Sequence, residues 1–434
     1  MYDTIPNIQT HSRRITMKKT LLLSVVASTM IMAGGDIAPV EPIIVPVVES
    51  GWKFDGNMVA YYQTNDAGTN SLFGTNTGES QNNFGIQLRA VNDDLFWGVG
   101  AGFEVSGLAT LKLLSSDAMQ IAGNYLNATG GSLSQAYLTY NIEAIDTSLK
   151  LGRQTLPKAL SPFAFSEQWQ PLQNTFDAAL VVNSSIPDTT LVYAFVDKVN
   201  TSAIGSDFSS FGYLNGNTVT DNGVHMITAQ NKSIEGLTLT GSFYYGQEMN
   251  VATNDTMIAW GDASFKYDGY SIGLQGGSVM DDDFVNNTVA YGAKIGAKFN
   301  LFDTDFSSCV AFSSVDDGNV PVINRSGTPT GLNVKTPLYT QMILNQTVIF
   351  KDVDYVMGKI GADVLGGNFG VTFGYAIEDR KLGLNNSPFE LDVTYTTQVT
   401  DNTKLFAGYV MADPDVTGVD ATNMVRVWAR YNFK

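Results

Sequence analysis

The chain has 434 residues, a formal net charge of −17 at pH 7, 44% hydrophobic residues and only 15% charged residues. The low charged fraction excludes a self-repelling disordered chain, and the acidic balance argues against a nucleic-acid-binding protein. The single cysteine, Cys309, excludes an internal disulfide framework and a cysteine-rich zinc site. Abundant Gly, Tyr and Phe beside few Pro residues favour β-structure over helix bundles.

The first 50 residues predict an export leader followed by an arm. Residues 1–16 show no structural pattern and are interpreted as a mis-set start, with Met17 as the true start. Residues 17–35 combine a lysine pair, an apolar stretch and an Ala-Gly-Gly end, the three-part pattern of a cleaved signal peptide. Residues 36–50 hold three prolines between Val and Ile, which favours an extended periplasmic arm. The remaining residues, 51–434, form the predicted barrel domain.

From Gly51 onward the chain alternates between apolar and polar residues, the period of a strand with one apolar face. Eighteen strands are predicted, at 51–64, 82–92, 95–107, 132–142, 146–154, 174–184, 188–198, 222–231, 234–247, 256–267, 269–278, 286–300, 303–314, 354–365, 368–378, 387–398, 402–412 and 422–433. Connections after odd strands are often long and those after even strands are short. This rhythm predicts a transmembrane antiparallel β-barrel with short periplasmic turns and long extracellular loops, rather than a soluble sandwich.

The longest connection, 315–353, is the least certain part of the strand pattern. Leu338 to Phe350 is apolar enough to contain further strands or to fold inward.

The gap after the fifth strand carries the most specific pattern. The fifth strand ends in Gly152-Arg153-Gln154, the sixth opens with Asn174-Thr175-Phe176, and Gln135-Ala136-Tyr137-Leu138 lies just upstream. These phrases resemble the OprD-type substrate-specific porins and the campylobacter-type major outer-membrane porins of bacteria. The resemblance implies an eighteen-stranded outer-membrane channel, usually a homotrimer, whose constriction loop folds inward from this gap.

Residues of this gap are therefore candidates for a pore constriction. Aromatic and proline side chains let a loop pack on the barrel wall, and a few charges set the field at the narrowest point. The candidates are Arg153, Pro157, Lys158, Phe163, Phe165, Glu167 and Trp169, of which Arg153 and Pro157 are carried over from the resemblance. The alternative is a surface loop with a hydrophobic patch, which is costly in water.

Basic residues on the polar strand faces form a second candidate set. Alternation turns nine of them towards the lumen: Lys53, Arg89, Lys150, Lys294, Lys298, Lys359, Lys404, Arg426 and Arg430. Because the first and last strands of a closed barrel are neighbours, Lys53, Arg89, Arg426 and Arg430 are expected along one wall. The OprD resemblance implies that such a basic ladder guides carboxylates. Four acids are also expected to face inward: Asp55, Glu104, Glu390 and Asp392. A general-diffusion pore with opposed charges, or interior charges without selectivity, are therefore the alternatives.

The chain ends in an amphipathic strand with Val425, Val427, Ala429, Tyr431 and Phe433 on one face. A terminal strand that ends in an aromatic resembles the signal read by the barrel-insertion machinery. Tyr431 and Phe433 are therefore predicted to be a barrel-assembly signal, with Lys434 after them as a departure from the pattern. An ordinary barrel-closing strand is the alternative.

The sequence predicts a passive channel and no enzyme. His225 is the only histidine after the leader, and no nucleophile elbow or metal-spaced His pair is present, so no catalytic or metal-ligating residue is expected. No cofactor is expected; the runs Asp281-Asp282-Asp283 and Asp316-Asp317 offer carboxylates for calcium, with a hydrated acidic rim as the alternative. The expected partners are outer-membrane lipid and small hydrophilic solutes, with small organic anions favoured. An adhesin or hydrolase barrel is the remoter alternative.

Overall fold

The computed structural model describes residues 51–74, 79–110, 130–167, 172–200, 209–210, 222–250, 254–281, 287–324, 335–379 and 386–434. The start, signal peptide and arm predicted over residues 1–50 lie outside these ranges and stay predictions. Trp169 of the candidate constriction, and Asp282 and Asp283 of the first acidic run, also lie outside them.

Eighteen long strands carry the fold, and the predicted strand count is confirmed. They are β1 (Lys53–Asn65), β2 (Ser80–Phe96), β3 (Val99–Thr110), β4 (Gly130–Ile142), β5 (Thr147–Gln154), β6 (Thr175–Asn183), β7 (Thr189–Asn200), β8 (Val224–Asn231), β9 (Leu237–Asn250), β10 (Asn254–Tyr267), β11 (Tyr270–Asp281), β12 (Thr288–Leu301), β13 (Thr304–Val315), β14 (Val353–Val364), β15 (Gly367–Asp379), β16 (Phe389–Thr400), β17 (Thr403–Asp413) and β18 (Thr422–Phe433). Ser209–Ser210 adds a two-residue strand beside the end of β7.

Helical structure is confined to two short pieces in the described ranges. A 3-10 turn, Glu143–Ile145, joins β4 to β5, and a four-residue helix, α1 (Gln346–Ile349), lies between β13 and β14. Neither these pieces nor any other helix of the described residues is long and apolar enough to cross a membrane.

The sheet closes on itself as an antiparallel barrel. Each long strand pairs with the next along the chain, and β18 pairs with β1 from Phe433 opposite Gly56 to Met424 opposite Asn65. The side-chain amide of Asn423 donates to the Asp66 carboxylate at 2.8 Å, which ties the first long connection to the start of β18. Because closure leaves no unpaired strand edge, the backbone of the barrel wall is hydrogen-bonded without help from water.

All turns that follow even strands lie at one end of the barrel, which we call the short-turn end. Most connections at the other end, the long-loop end, are longer. The predicted turn at Asp93-Asp94 is wrong by a few residues, because β2 continues to Phe96 and the turn is Trp97-Gly98. The register shifts between Asn92 and Phe96, and the Asp94 carboxylate accepts a 2.9 Å hydrogen bond from the Gly98 N–H, which moves the turn.

Alternate side chains form an apolar outer face and an inner face. Leu274 and Ile295 on the outer face are each 58% exposed, whereas Asn57, Gln87 and Thr372 on the inner face are buried. Large apolar side chains exposed around the whole outer face would be costly in water, and lipid is the solvent that removes this cost.

The inner face is not polar all round. The inward residues of β6, β7 and β8 are buried and apolar; they include Phe176, Leu180, Val182, Val192, Ala194, Val196 and Met226. An apolar inner wall needs a protein cover instead of water, and two segments of the chain provide one.

Candidate functional site

The described residues of the connection between β5 and β6, 155–167 and 172–174, fold into the lumen; we call them the first lumenal segment. Phe163 is 1% exposed, and its ring meets the inward-facing rings of Tyr244 on β9 and Trp260 on β10 edge-on, at 5.7 and 5.3 Å between centroids. The Phe163 N–H also donates to the Tyr244 hydroxyl at 3.2 Å. Edge-to-face aromatic contacts of this kind add to the burial of the rings and hold the segment on the far wall.

The first lumenal segment is compact at its base and reaches both sides of the barrel. The Ser166 N–H donates to the Leu156 carbonyl at 2.8 Å, which brings the two ends of the turn together. Leu172, near the return to β6, packs with Tyr61 of β1 and Leu108 of β3. Since Phe163 packs against β9 and β10 and Leu172 packs against β1 and β3, the segment extends across the lumen.

The described residues between β13 and β14, 316–324 and 335–352, also fold inward; we call them the second lumenal segment. Met342 is buried, and the hydroxyl of Tyr355 on the inner face of β14 approaches its sulfur at 3.8 Å. A Cβ added to Gly374 would lie 2.3 Å from the Met342 sulfur, so only glycine at position 374 leaves room for this packing. Of the two alternatives that the sequence left open for this connection, its apolar stretch therefore takes the second and folds inward.

Two acids that were expected to line the lumen instead hold this second segment. The Leu344 N–H donates to the Glu390 carboxylate at 2.7 Å, and the Ile343 N–H donates to Asp392 at 3.3 Å. Both carboxylates are almost fully buried. Their carboxyl oxygens therefore face backbone donors rather than the solution in the lumen.

The two lumenal segments contact each other directly. The buried side chain of Asn324 pairs with the backbone of Phe165: its carbonyl oxygen accepts from the Phe165 N–H, and its amide donates to the Phe165 carbonyl, both at 3.0 Å. The ammonium of Lys158 donates to the Thr336 carbonyl at 3.1 Å. Sequence reasoning missed Asn324 because nothing in the local pattern links it to a residue 159 positions away.

Several charged side chains lie around the contact between the two segments. The Tyr339 hydroxyl donates to the Asp262 carboxylate on β10, and the Lys294 ammonium on β12 lies 4.4 Å from the centre of the Tyr339 ring. Burial, with Lys294 and Lys335 nearby, lowers the pKa of Lys158 to about 8. Burial and the Asp262 carboxylate raise the pKa of the Tyr339 phenol. Lys158 therefore changes charge in the alkaline range close to neutrality.

Basic residues from two neighbouring strands lie together on the opposite wall; we call Lys404, Arg426 and Arg430 the basic strip. Lys404 on β17 is directly opposite Arg430 on β18 in the strand register. The Arg426 guanidinium donates to Gln63 at 2.9 Å and lies 5.0 Å from the centre of the Tyr61 ring. Arg430 lies 5.9 Å from the centre of the Trp428 ring. Lys404 and Arg430 are therefore held opposite each other, and the buried Arg426 lies four residues along β18, beside the aromatic face of Tyr61.

The other basic residues of the predicted wall contact acids. Lys53 pairs with Asp93 at 2.8 Å, at the short-turn end. Arg89 lies between Asp55 at 3.5 Å and Glu104 at 3.3 Å. The predicted wall is thus divided: near Lys53 and Arg89 its positive charge is matched by carboxylates, and the basic strip lies beyond them.

The remaining cations predicted to face the lumen lie on the inner face, whereas Arg153 of the candidate constriction does not. Lys150 is 3.7 Å from the centre of the Tyr137 ring, and Lys294, Lys298 and Lys359 take inward positions on β12 and β14. Arg153 is on the outer face, where it pairs with Asp177 at 3.3 Å. Its place in the constriction is therefore a wrong prediction, because alternation from Leu151, which is 52% exposed, turns Arg153 outward too.

The remaining candidates lie away from the lumen. Tyr431 and Phe433 occupy the outer face of the closing strand, with ring centres 6.4 Å apart. His225 faces outward, 2.9 Å from the Tyr193 hydroxyl. Asp316 accepts a 2.8 Å hydrogen bond from the Val289 N–H. Within the described ranges, no three His, Cys, Asp or Glu side chains are grouped to hold a metal ion.

Comparison with known proteins gives a result at the level of fold. No protein-family model and no curated protein matches the chain. Among solved structures, OccK9 (OpdG) of Pseudomonas aeruginosa has a TM-score of 0.70 and 14% identity, over 88% of this chain and 98% of that one. OccAB2 of Acinetobacter baumannii has a TM-score of 0.64 and 16% identity over the same shares of the two chains.

The chain has the fold of the OprD-type outer-membrane porins. A third similar structure of that type, OpdK of Pseudomonas aeruginosa solved with vanillate, has a TM-score of 0.66 and 15% identity, over 88% of this chain and 98% of OpdK. The predicted resemblance and the eighteen-stranded barrel are confirmed. With identities this low, the similarity concerns the fold, and the function has to be argued from the residues of this chain.

Proposed function

We propose that the protein is an outer-membrane channel for passive diffusion of small hydrophilic solutes, with a preference for small organic anions. The single observation that carries the proposal is a closed barrel, apolar outside, whose lumen is crossed by two segments that leave a wall of polar and basic residues. The two segments cover the apolar part of the inner wall, so a hydrated path runs along the polar part.

The contacts that the charged side chains of the inner wall make support a preference for anions. Glu390 and Asp392 accept hydrogen bonds from the second segment, and Asp55 and Glu104 contact Arg89. The basic strip, in contrast, places Lys404 directly opposite Arg430, with Arg426 four residues further along β18. The basic strip makes the local field positive although the whole chain is acidic. The acidic residues of the outer connections contribute little there, because their charges are screened over about 8 Å at physiological salt.

The general-diffusion alternative differs from this proposal in one measurable property. A pore with balanced charges passes small anions and cations in proportion to their mobility, whereas the basic strip raises the local concentration of anions. Vanillate, the carboxylate bound in the OpdK structure, is a suitable probe of the anion class.

The decisive experiment measures single-channel currents and reversal potentials in planar bilayers under a salt gradient. At about 4 Å in a water-like dielectric one charge contributes about 1 kcal/mol, so Arg426→Gln with Arg430→Gln removes about 2 kcal/mol and is expected to lower the anion-to-cation permeability ratio roughly 30-fold. Lys232→Gln with Lys434→Gln removes the same charge from exposed positions and serves as the matched control. An unchanged ratio in a folded, conducting double variant of the strip would favour the general-diffusion pore.

The cellular features that accompany this function are proposals as well. The signal peptide over residues 17–35 and the terminal aromatics Tyr431 and Phe433 fit export and insertion by the barrel-assembly machinery. A homotrimer is implied by the resemblance, and mass measurement of the detergent-extracted protein tests it. The porin fold supports a channel rather than an enzyme, an adhesin or a hydrolase barrel.

A further inference from the structure

Large apolar side chains form the tips of most turns at the short-turn end. Leu365 is 93% exposed, Trp97 is 92% exposed and Phe302 is 88% exposed, more than any residue on the outer strand faces. Three further turns present isoleucines that are at least half exposed: Ile145, Ile186 and Ile234. Side chains of this size normally avoid water, so their exposure at one end of the barrel needs a partner that covers them.

The backbone conformation of these turns disfavours large apolar residues. Trp97, Phe302 and Leu365 have φ values of 50, 52 and 53°, in the left-handed region. Bulky side chains are disfavoured in this region, where two-residue hairpin turns prefer Asn, Asp or Gly. The turn between β10 and β11 uses the favoured type, with Asp268 at φ 46° followed by Gly269. A gain from burying Trp97, Phe302 and Leu365 would offset their unfavourable backbone.

The positions of these turns around the circumference of the barrel distinguish between possible partners. Trp97 joins β2 to β3, whereas Phe302 and Leu365 follow β12 and β14, on the far side of the barrel. A single protein partner would contact one side. Lipid surrounds the barrel, and the tips continue its apolar outer face beyond the strand ends. Acidic residues next to the tips, Asp94, Asp303 and Asp363, favour zwitterionic over anionic headgroups.

We propose that Trp97, Phe302 and Leu365 insert into the headgroup region of the adjacent zwitterionic lipid leaflet and fix the depth of the barrel in the membrane. Aromatic and aliphatic side chains at this level bury their apolar parts while the turn backbone stays hydrated. Residues 36–50, which precede β1 at the same end, are the competing cover, because their sequence is rich in Val, Ile and Pro.

Site-directed fluorescence quenching tests the proposal on the full mature chain in phosphatidylcholine vesicles. Single cysteines at Trp97→Cys, Phe302→Cys and Leu365→Cys, each in a Cys309→Ser background, carry a small fluorophore. Val419→Cys, exposed in the connection between β17 and β18 at the long-loop end, is the matched control. Brominated lipid is expected to quench the three tip labels several-fold more than the control label, and aqueous iodide should show the reverse order.

Two outcomes of the quenching experiment would overturn the proposal. Tip labels that iodide quenches as strongly as the control would lie in water. Tip labels shielded from both quenchers would be covered by residues 36–50 or by another protein segment.

A stability measurement gives a second test whose sign differs between the two explanations. Phe302→Asn and Leu365→Asn relieve the unfavourable backbone, so in the absence of lipid contact they should raise the urea midpoint in vesicles. If the tips insert into lipid, both variants lose apolar burial and the midpoint falls. Asp268→Asn, at the equivalent turn position without an apolar side chain, should leave the midpoint unchanged. A raised or unchanged midpoint for Phe302→Asn and Leu365→Asn would contradict insertion.

Discussion

Replacing Asn324 by alanine removes the reciprocal hydrogen bonds that join the two lumenal segments. Two bonds to the Phe165 backbone, each 3.0 Å, are lost. The Phe165 carbonyl keeps its bond from the Asn174 amide at 3.0 Å, but the buried Phe165 N–H loses its acceptor. The bond to the Phe165 carbonyl contributes about 1 kcal/mol, and leaving the buried Phe165 N–H without an acceptor costs about 1–3 kcal/mol, so the contact weakens by about 2–4 kcal/mol.

This loss changes how often the first segment leaves its docked position. A weakening of about 2 kcal/mol lowers the ratio of docked to undocked segment roughly 30-fold. We therefore expect single-channel currents of Asn324→Ala to show larger open-channel noise and excursions to higher conductance. Asn300→Ala is the matched control, since Asn300 donates to Asp305 at 2.8 Å near the short-turn end, far from both segments. Currents of Asn324→Ala equal in mean and noise to those of the natural chain, in a folded barrel, would refute the reasoning.

Three further predictions concern the lumenal segments. Deleting Pro162 to Trp169 should raise single-channel conductance several-fold; an unchanged value in a folded barrel would show that the first segment does not limit the current. Phe163→Ala removes the contacts with Tyr244 and Trp260 at a cost of about 3–5 kcal/mol and should give a noisier, larger conductance, while Phe369→Ala on the outer face should not. The pKa of Lys158, lowered to about 8, means that its positive charge is present at pH 7 and lost as the pH rises through 8. Anion preference should therefore fall between pH 7 and 9, and Lys158→Met should remove this pH dependence; an equal fall in the variant would assign it to another group.

The strands were predictable because their signal is local. Period-two alternation in residues such as Phe84, Ile86 and Leu88 is set by the pleat of a single strand and needs no knowledge of the partner. Errors occurred where one or two residues decide the outcome. Trp97 continued the alternation but forms a turn, and Arg153 was placed by its resemblance to a motif although alternation from Leu151 turns it outward.

The lumenal contacts were less predictable because they join residues far apart in the chain. Lys158, Phe163 and Phe165 were identified, since an aromatic loop after the fifth strand has a recognisable composition. The side chains that receive them, Tyr244 and Asn324, have no local signal for this role. Glu390 and Asp392 were predicted to face inward, and they do, but whether a carboxylate meets a solute or a backbone N–H depends on where the second segment folds.

The uneven inner wall links these observations to the proposed function. Water cannot cover the apolar inward residues of β6, β7 and β8 without a cost of roughly 25 cal/mol for each Å² exposed, so the stable barrel is the one whose own chain covers them. The two lumenal segments pack on the inner wall, where Phe163 contacts Tyr244 and Trp260 and Met342 contacts Tyr355. We propose that solutes pass along the remaining polar wall, where Lys404 and Arg430 lie. In the proposed channel, selectivity would therefore depend on the apolar residues of one wall as much as on the charges of the other.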